Sequence, residues 1–495
     1  MDPIFYRSQY PEIKITLIMI NSREAEISFL HSAFDLHGKM ISNEMFVQWV
    51  NERRDAVKIQ IELIRFDQMQ SWNFDAVTGN LCHDSGKFFS IEGIDIKTNW
   101  GKVNNWAQPI INQPEIGFLG IITKKIEGIL HFLMQAKIEP GNINYVQLSP
   151  TLQATKSNYL KVHQGKTPMY LEYFTGQKKV KVLMDQLQSE QGARFMKKRN
   201  RNIIVEVEED IDVKDDFCWL SLGQIKLLMR QNNMVNMDTR TVLSGISYGT
   251  YQQHELNSFF PTINSGSKTN GKNDDLLMSA LDNTISVCTI EDIISWITSL
   301  KTKYDLQVEK IPLMNVNHWL RTDRSIHHDQ HKYFSVIAAD IYIESREVVS
   351  WTQPLIQSAQ EGLIGFIVKK IKGVYHFLVQ AKIEAGNFDI LELAPTVQCL
   401  TGNYRAGMNE YEVPFINEVL QASADMIIYK AMQSEEGGRF YREQNLNMII
   451  EVGDDFSENV PENFCWITLN QLYTFIKFNN YLNIQARSLL AAVMF

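Results

Sequence analysis

The stretch Ile129-Leu130-His131-Phe132-Leu133-Met134-Gln135-Ala136-Lys137-Ile138-Glu139 recurs 245 positions later as Val374-Tyr375-His376-Phe377-Leu378-Val379-Gln380-Ala381-Lys382-Ile383-Glu384. Each copy follows a turn of the form Lys-Lys-Ile-x-Gly (Lys124 to Gly128, Lys369 to Gly373) that closes an apolar run, so each reads as the return strand of a β-hairpin. Side chains alternate between the two faces of a strand. One face therefore collects Leu130, Phe132, Met134, Ala136 and Ile138, a surface suited to a core, and the other collects His131, Gln135, Lys137 and Glu139. From His131 to Lys137 the strand covers about 20 Å at its usual rise, enough to underlie an extended polar ligand. A solvated face needs polarity but not the same four side chains in the same order. A ligand groove, or a fixed internal hydrogen-bond network, needs both.

Outward from the hairpin the repetition continues on both sides. Upstream, Phe46-Val47-Gln48-Trp49 and Ile293-Ile294-Ser295-Trp296 read as short amphipathic helices, and Trp72 matches Trp319. The run His83-Asp84-Ser85-Gly86-Lys87-Phe88-Phe89-Ser90 matches His328-Asp329-Gln330-His331-Lys332-Tyr333-Phe334-Ser335, a turn entering an aromatic-rich strand. Trp106-Ala107-Gln108-Pro109 and Trp351-Thr352-Gln353-Pro354 carry a proline that places them at a sheet edge or in a loop, where a tryptophan can cover the core or stack on a base. Downstream, Pro140-Gly141-Asn142 and Ala385-Gly386-Asn387 turn into a second alternating strand, whose polar face holds Gln147, Ser149, Thr151 and Gln153, or Glu392, Thr396 and Gln398. Asn158-Tyr159 and Asn403-Tyr404 close this block. A helical stretch is expected next, ending in Ser189-Glu190-Gln191-Gly192-Ala193-Arg194-Phe195 or Ser434-Glu435-Glu436-Gly437-Gly438-Arg439-Phe440. Then come a strand and, after Phe217-Cys218-Trp219 or Phe464-Cys465-Trp466, a helix capped by Ser221 or Thr468.

This pattern predicts an α+β protein: a tandem duplication with mixed, mostly antiparallel sheets. The first repeat spans 45–250 and the second 285–495, joined by 251–284, whose Ser, Asn, Gly and Asp content is that of a linker. Residues 1–44 show no counterpart in the second half and read as an extension. With 495 residues, 44% hydrophobic and 21% charged, the chain has the composition of a globular protein with two cores. A net charge of −9 argues against non-specific nucleic-acid binding. Five cysteines, two of them in equivalent Phe-Cys-Trp triplets, suit a reducing compartment rather than a disulfide framework. The apolar run Ile15 to Ile20 is too short to span a membrane and lacks the flanks of a signal peptide, which leads to a cytoplasmic expectation with no membrane partner.

Taken together, HFLMQAKIEPGN, QLSPTLQATKSNY, LQSEQGARF, KKRNRN and VNMDTRTVL in the first repeat, with REVVSWTQP, GVYHFLVQAKIEAGN and ELAPTVQC in the second, resemble the NDP-hexose 2,3-dehydratase family. The resemblance extends from about residue 45 to the C-terminus. It implies two Nudix-like domains, a homodimer and a nucleotide-linked 4-keto-6-deoxyhexose as substrate, with dTDP-4-keto-6-deoxyglucose going to the 3,4-diketo-2,6-dideoxy sugar. The C4 ketone acidifies C3–H, and the enolate then expels the C2 hydroxyl. That route requires a base, enolate donors and an acid, but no redox cofactor and no metal. His131, Lys137, Glu139 and Tyr159 are the expected catalytic groups. Gln135, Gln153, Asn158, His163, Arg194, Arg199, Arg201, Trp351, Gln380, Lys382, Glu384 and Arg439 are the expected substrate contacts, the arginines and the tract Lys197 to Arg201 serving the diphosphate. The second repeat replaces that tract with Arg442-Glu443-Gln444-Asn445-Leu446, which assigns the chemistry mainly to the first.

Three other readings compete. A Nudix pyrophosphohydrolase needs a carboxylate-rich helix for Mg²⁺, of which Glu435-Glu436-Gly437-Gly438 is only a fragment. A non-catalytic nucleotide-sugar binder would keep the groove without turnover. A metal site at His327-His328-Asp329-Gln330-His331 lacks a matching cluster in the first repeat, which has only His83-Asp84.

Overall fold

The structure, a computed structural model, describes residues 18–19, 22–155, 167–252, 255, 271–346, 348–400 and 413–495. The hairpins form as expected. Gly117–Ile126 and Ile129–Ile138 pair antiparallel across Glu127-Gly128, both at positive φ (50° and 81°). Gly362–Ile371 and Val374–Lys382 do the same across Lys372-Gly373 (53° and 84°). Two consecutive left-handed residues make the tight turn whose twist suits a hairpin, and glycine takes the second position without a Cβ penalty.

Each hairpin sits at the centre of a large mixed sheet. In the first, the order runs Ile18–Met19, Lys181–Ser189, Arg199–Glu206, Gly117–Ile126, Ile129–Ile138, Phe217–Ser221, with Leu152–Ala154 and Val146–Ser149 also pairing to the hairpin. The second repeats this core, with Ile427–Ser434, Gln444–Val452, the hairpin and Phe464–Thr468. Both faces of Ile129–Ile138 are covered, so the half-exposed strand expected from its alternation is not what forms: Leu130, Phe132 and Met134 enter the main core while Leu133 enters a second cluster with Phe174, Val205 and Trp219. A second correction concerns the stretches before Ser189 and Ser434. They are strands, not helices, because each pairs along its length with the strand that follows, and that pairing outweighs the helix preference of Met, Leu and Gln.

Two smaller sheets join the repeats by reciprocal exchange. Ile59–Ile64 of the first half pairs with Phe334–Ile343 of the second, and its counterpart Leu306–Ile311 pairs with Ser90–Thr98 of the first. A shared core lies between these sheets, with Phe195 and Phe440 in edge-on contact at 5.9 Å. The helices Met237–Ser244 and Ile484–Ala491 pack together. Each carries a fully buried arginine that reaches the other half: Arg240 donates to Gln433 Oε1 and the Ser434 carbonyl, and Arg487 donates to the Ser189 carbonyl and to Thr241.

The N-terminal segment does have a counterpart. Helix Ser22–Phe34 and helix Gly271–Leu281, the latter within the stretch of linker composition, occupy equivalent places. Ser32 Oγ donates to the Leu130 carbonyl and accepts from Leu222 N, and Ser279 Oγ makes the same two bonds to Tyr375 and Leu469. Their apolar residues differ in sequence, and the match shows only in what they cover. Ser221 and Thr468 cap their helices in full capping boxes with Gln224 and Gln471, as expected. Among the described residues no helix is long and apolar enough to cross a membrane.

Candidate active site

Past Ile138 the return strand enters the turn Glu139-Pro140-Gly141-Asn142, which docks on the other repeat. Gly141 N donates to the Gly437 carbonyl at 2.7 Å, and Arg442 N donates to the Gly141 carbonyl at 2.7 Å. A Cβ at Gly141 would overlap the Phe440 carbonyl, so only glycine allows this approach. The contact brings Glu436, Gly438 and Arg439 of the second repeat to Lys137 and Glu139 of the first, around a cavity of about 420 Å³.

Its polar wall is cross-braced. Lys137 Nζ reaches the Gln153 carbonyl at 3.4 Å, and Gln153 Nε2 donates to Glu139 Oε1 at 2.7 Å. Asn236, which also caps Met237–Ser244, donates to Gln153 Oε1 at 3.4 Å. Glu139 Oε2 is buried and accepts no hydrogen bond from the described residues. Facing this wall, Trp351 Nε1 donates to Gln353 Oε1 at 2.9 Å and Gln353 Nε2 to the Gly438 carbonyl at 2.7 Å. The Arg439 guanidinium lies 4.2 Å over the Phe89 ring.

Carboxylates crowd the floor. Oxygens of Glu139, Asp238 and Glu436 lie within 4.8 Å of one another. Burial, and then the charges of Glu436, Glu139 and Glu190, raise the Asp238 carboxyl well above its usual range, with Lys137 opposing. Burial and the neighbouring Glu139 push Glu436 up to about 7 against the pull of Arg439. Lys198 faces them. Its amine donates to the Glu115 carbonyl, and burial lowers it to about 8 although Glu190 favours its charged form.

Of the residues expected from the sequence, Lys137, Glu139, Gln153, Trp351 and Arg439 line this cavity. Tyr159, Asn158 and His163 lie outside the described residues. His131 does not reach it: the imidazole is fully buried, Nε2 accepting from Lys39 N at 3.2 Å and Nδ1 lying 2.9 Å from the Ile129 carbonyl, which makes it a brace for the N-terminal segment. Gln135 and Gln380 are half-buried and do not line the cavity. Strand alternation divides the basic tract. Lys198 and Asn200 face the cavity, whereas Arg199 stacks 4.0 Å over Phe388 and Arg201 forms a bidentate pair with Asp185 at 2.8 and 2.6 Å.

Arg194, Lys382 and Glu384 meet in the duplicate of this site on the second hairpin. There Gln398 Nε2 donates to Glu384 Oε1 at 2.8 Å and Lys382 Nζ reaches the Gln398 carbonyl at 3.4 Å, repeating the first site bond for bond. The charges differ. Gln191 stands in place of Glu436, Gln485 in place of Asp238 and Glu443 in place of Lys198. Arg194, 4.3 Å over Phe334, is held between Glu443, Glu384 and Glu435, whose charges support its own against burial. Asp238 and Glu436 were the residues that reading along the strand overlooked, while Lys198 belongs to the basic tract expected to serve the diphosphate. The signal lay in comparing the repeats position by position, where these three change charge.

Among the described residues the Glu139–Asp238–Glu436 trio is the one group with metal-ligand spacing, and the charges of Lys137 and Arg439 already act on it. The histidines and aspartate of 327–331 form no such group. Glu435 and Glu436 lie in a turn after a strand, not on the helix that a Nudix magnesium site requires.

The sequence profile of the NDP-hexose 2,3-dehydratase family matches residues 43–246 and 290–493, the two repeats. Among characterised proteins, the chain is similar to the dTDP-4-dehydro-6-deoxy-α-D-glucopyranose 2,3-dehydratases of Saccharopolyspora spinosa (45% identity, covering 94% of each chain), Amycolatopsis orientalis (40%, covering 93% of this chain and 92% of the relative) and Streptomyces violaceoruber (39%, covering 90% and 96%). With both segments matched and the similarity running through nearly the whole length, the chain belongs to the NDP-hexose 2,3-dehydratase family, enzymes of the hydro-lyase type.

Proposed function

We propose that the protein removes the C2 hydroxyl of dTDP-4-keto-6-deoxyglucose, giving the 3,4-diketo-2,6-dideoxy sugar, and that it does so in the cavity of the first hairpin. The single observation behind this is a cavity that holds a lysine, an arginine and a carboxylate with an unpartnered oxygen around a space of nucleotide-sugar scale. The dTDP assignment follows the substrate in the relatives' names.

Glu139, through its free Oε2, takes the C3 proton. The electron pair moves to the C4 oxygen, where Lys137 and Arg439 supply positive charge as it develops. Lys198 serves the diphosphate and Trp351 offers a face to the base. Tyr159, Asn158 and His163 remain candidate contacts. The second site keeps Lys382, Glu384 and Gln398 but loses the trio, so we assign it no turnover. We further read each repeat as Nudix-like, with 45–250 and 285–495 as the units, each covered by a helix that lies just before its bounds, Ser22–Phe34 or Gly271–Leu281, and the protein as a cytoplasmic homodimer.

The test is incubation with dTDP-, GDP- and CDP-linked 4-keto-6-deoxyhexoses, followed by mass spectrometry for loss of water. Loss of water from the dTDP-glucose-derived ketone is expected. Release of nucleoside monophosphate in Mg²⁺ with no dehydration would sink the reading.

A further inference from the structure

Elimination needs an acid as well as a base, and on the hairpin strand Glu139 is already assigned to the C3 proton and Lys137 to the C4 oxygen. The carboxylates beside Glu139 offer the missing group. Glu139 and Asp238 are 2% and 3% exposed, and Glu436 is half-buried and lines the cavity. Asp238 and Glu436 lie with carboxylate oxygens within 4.8 Å of each other and of Glu139, and burial together with like charge at that separation favours a proton held on Asp238 and Glu436. Among the described residues Glu139 Oε2 has no hydrogen-bond donor, which leaves a buried acceptor on one member of the cluster. The duplicate site is an internal control. It keeps the glutamate, its glutamine brace and its lysine, and has amides, Gln191 and Gln485, at the other two positions.

Building on the dehydratase reading, we propose that Asp238 and Glu436 share one proton and form the acid that discharges the C2 hydroxyl as water. The step balances within the site. The C3–H bond breaks and its proton passes to Glu139, with the electron pair resting on the C4 oxygen. The C4 carbonyl then re-forms, the C2–C3 double bond closes, the C2–O bond breaks, and the departing oxygen takes the proton held by Asp238 and Glu436. Transfer from Glu139 to the neighbouring pair restores the starting state, so the cluster ends each cycle with the protons it began with. Lys137, Lys198, Arg439 and Glu190 are the other charged groups that face it. Two of the three carboxylates depend on the tertiary fold, since Glu436 arrives from the second repeat and Asp238 from a helix about 100 residues after Glu139.

The test separates proton removal from hydroxide loss. In D₂O, the wild type, Glu436→Gln and Asp238→Asn are followed by mass spectrometry for water loss and for deuterium uptake at C3 of recovered substrate. Glu436→Gln is expected to lower water loss by about 10²-fold or more while C3 uptake stays at or above the wild-type rate. Asp238→Asn should do the same, and Glu139→Gln should lower both. Water loss within about threefold of wild type in both acid variants, or water loss and uptake falling together, would overturn the assignment. Glu436→Gln copies the residue that the duplicate turn already carries, so that backbone accepts it. If Asp238→Asn does not fold, Asp238→Gln copies Gln485, and the wild-type pH profile gives a second readout. Water loss should decline as pH rises and the shared proton is lost, whereas C3 uptake should not share that limb; a common limb, or none in water loss, overturns the proposal. A wild type that neither loses water nor takes up deuterium with any ketone would reject the dehydratase reading instead.

Discussion

Glu139 and Glu384 occupy the same place on duplicate strands, accept the same hydrogen bond from a glutamine and leave the same oxygen unpartnered, yet they face different company. Glu139→Ala and Lys137→Ala are therefore expected to lower turnover by about 10²-fold or more, the usual cost of losing a positioned base or oxyanion donor. Glu384→Ala and Lys382→Ala should change it by no more than about threefold in a folded protein, and steady-state kinetics on the four variants checks the asymmetry. Lys198 gives a pH prediction. Its pKa, lowered to about 8, makes it cationic below that pH and neutral above it, so its hold on an anionic diphosphate weakens as pH rises through 8. KM should rise over that interval in the wild type, and Lys198→Ala should show a raised KM without that rise. Arg201→Ala should change KM little, since its guanidinium is already taken up by Asp185.

Among the elements, the helices Ser22–Phe34 and Gly271–Leu281 turn a sequence difference into a structural equivalence. Each places one fully buried serine between a hairpin carbonyl and the first amide of a capped helix. Replacing that hydroxyl with hydrogen leaves two buried backbone groups without a partner. Ser32→Ala and Ser279→Ala should each cost about 1–3 kcal/mol, read as a lower urea midpoint at unchanged slope. Equal midpoints for wild type and both variants would show that the serines do not secure these helices. The same logic explains why the stretches ending at Ser189 and Ser434 are strands: a partner strand satisfies every backbone group along them, and local preference yields to that.

At the scale of the whole molecule, the repeats are not beads on a string. Each contributes an edge strand to the other's small sheet, and the buried Arg240 and Arg487 find acceptors in the opposite half. Separating the halves would expose two sheet edges and the shared Phe195–Phe440 core, and would strip Arg240 and Arg487 of their acceptors in the opposite half. Residues 1–250 and 251–495 expressed singly should therefore not fold, and co-expression should restore a soluble complex. Circular dichroism and thermal unfolding would check this. A native-like, cooperative transition from either half alone would contradict the interlocked reading.

The hairpins, the serine- and threonine-capped helices and the duplication were already written in the chain, because each rests on local rules: a glycine at a left-handed turn, a hydroxyl before a helix, a motif repeated at fixed spacing. So were Lys137, Glu139 and Gln153, which are near neighbours along the chain. The alternation of Ile129–Ile138 sorted its side chains but not their surroundings, and His131, polar and repeated like Lys137, proved to be a buried brace. Which residues meet across the molecule was decided only by tertiary structure. Trp351 and Arg439 complete the first site while Arg194 serves the second, because the strand exchange and the docked glycine turns carry each repeat's residues to the other's strand. Asp238 and Glu436 became visible as a pair for the same reason: nothing in a linear pattern records the distance between carboxylates about 200 residues apart, and that distance sets where the proton sits.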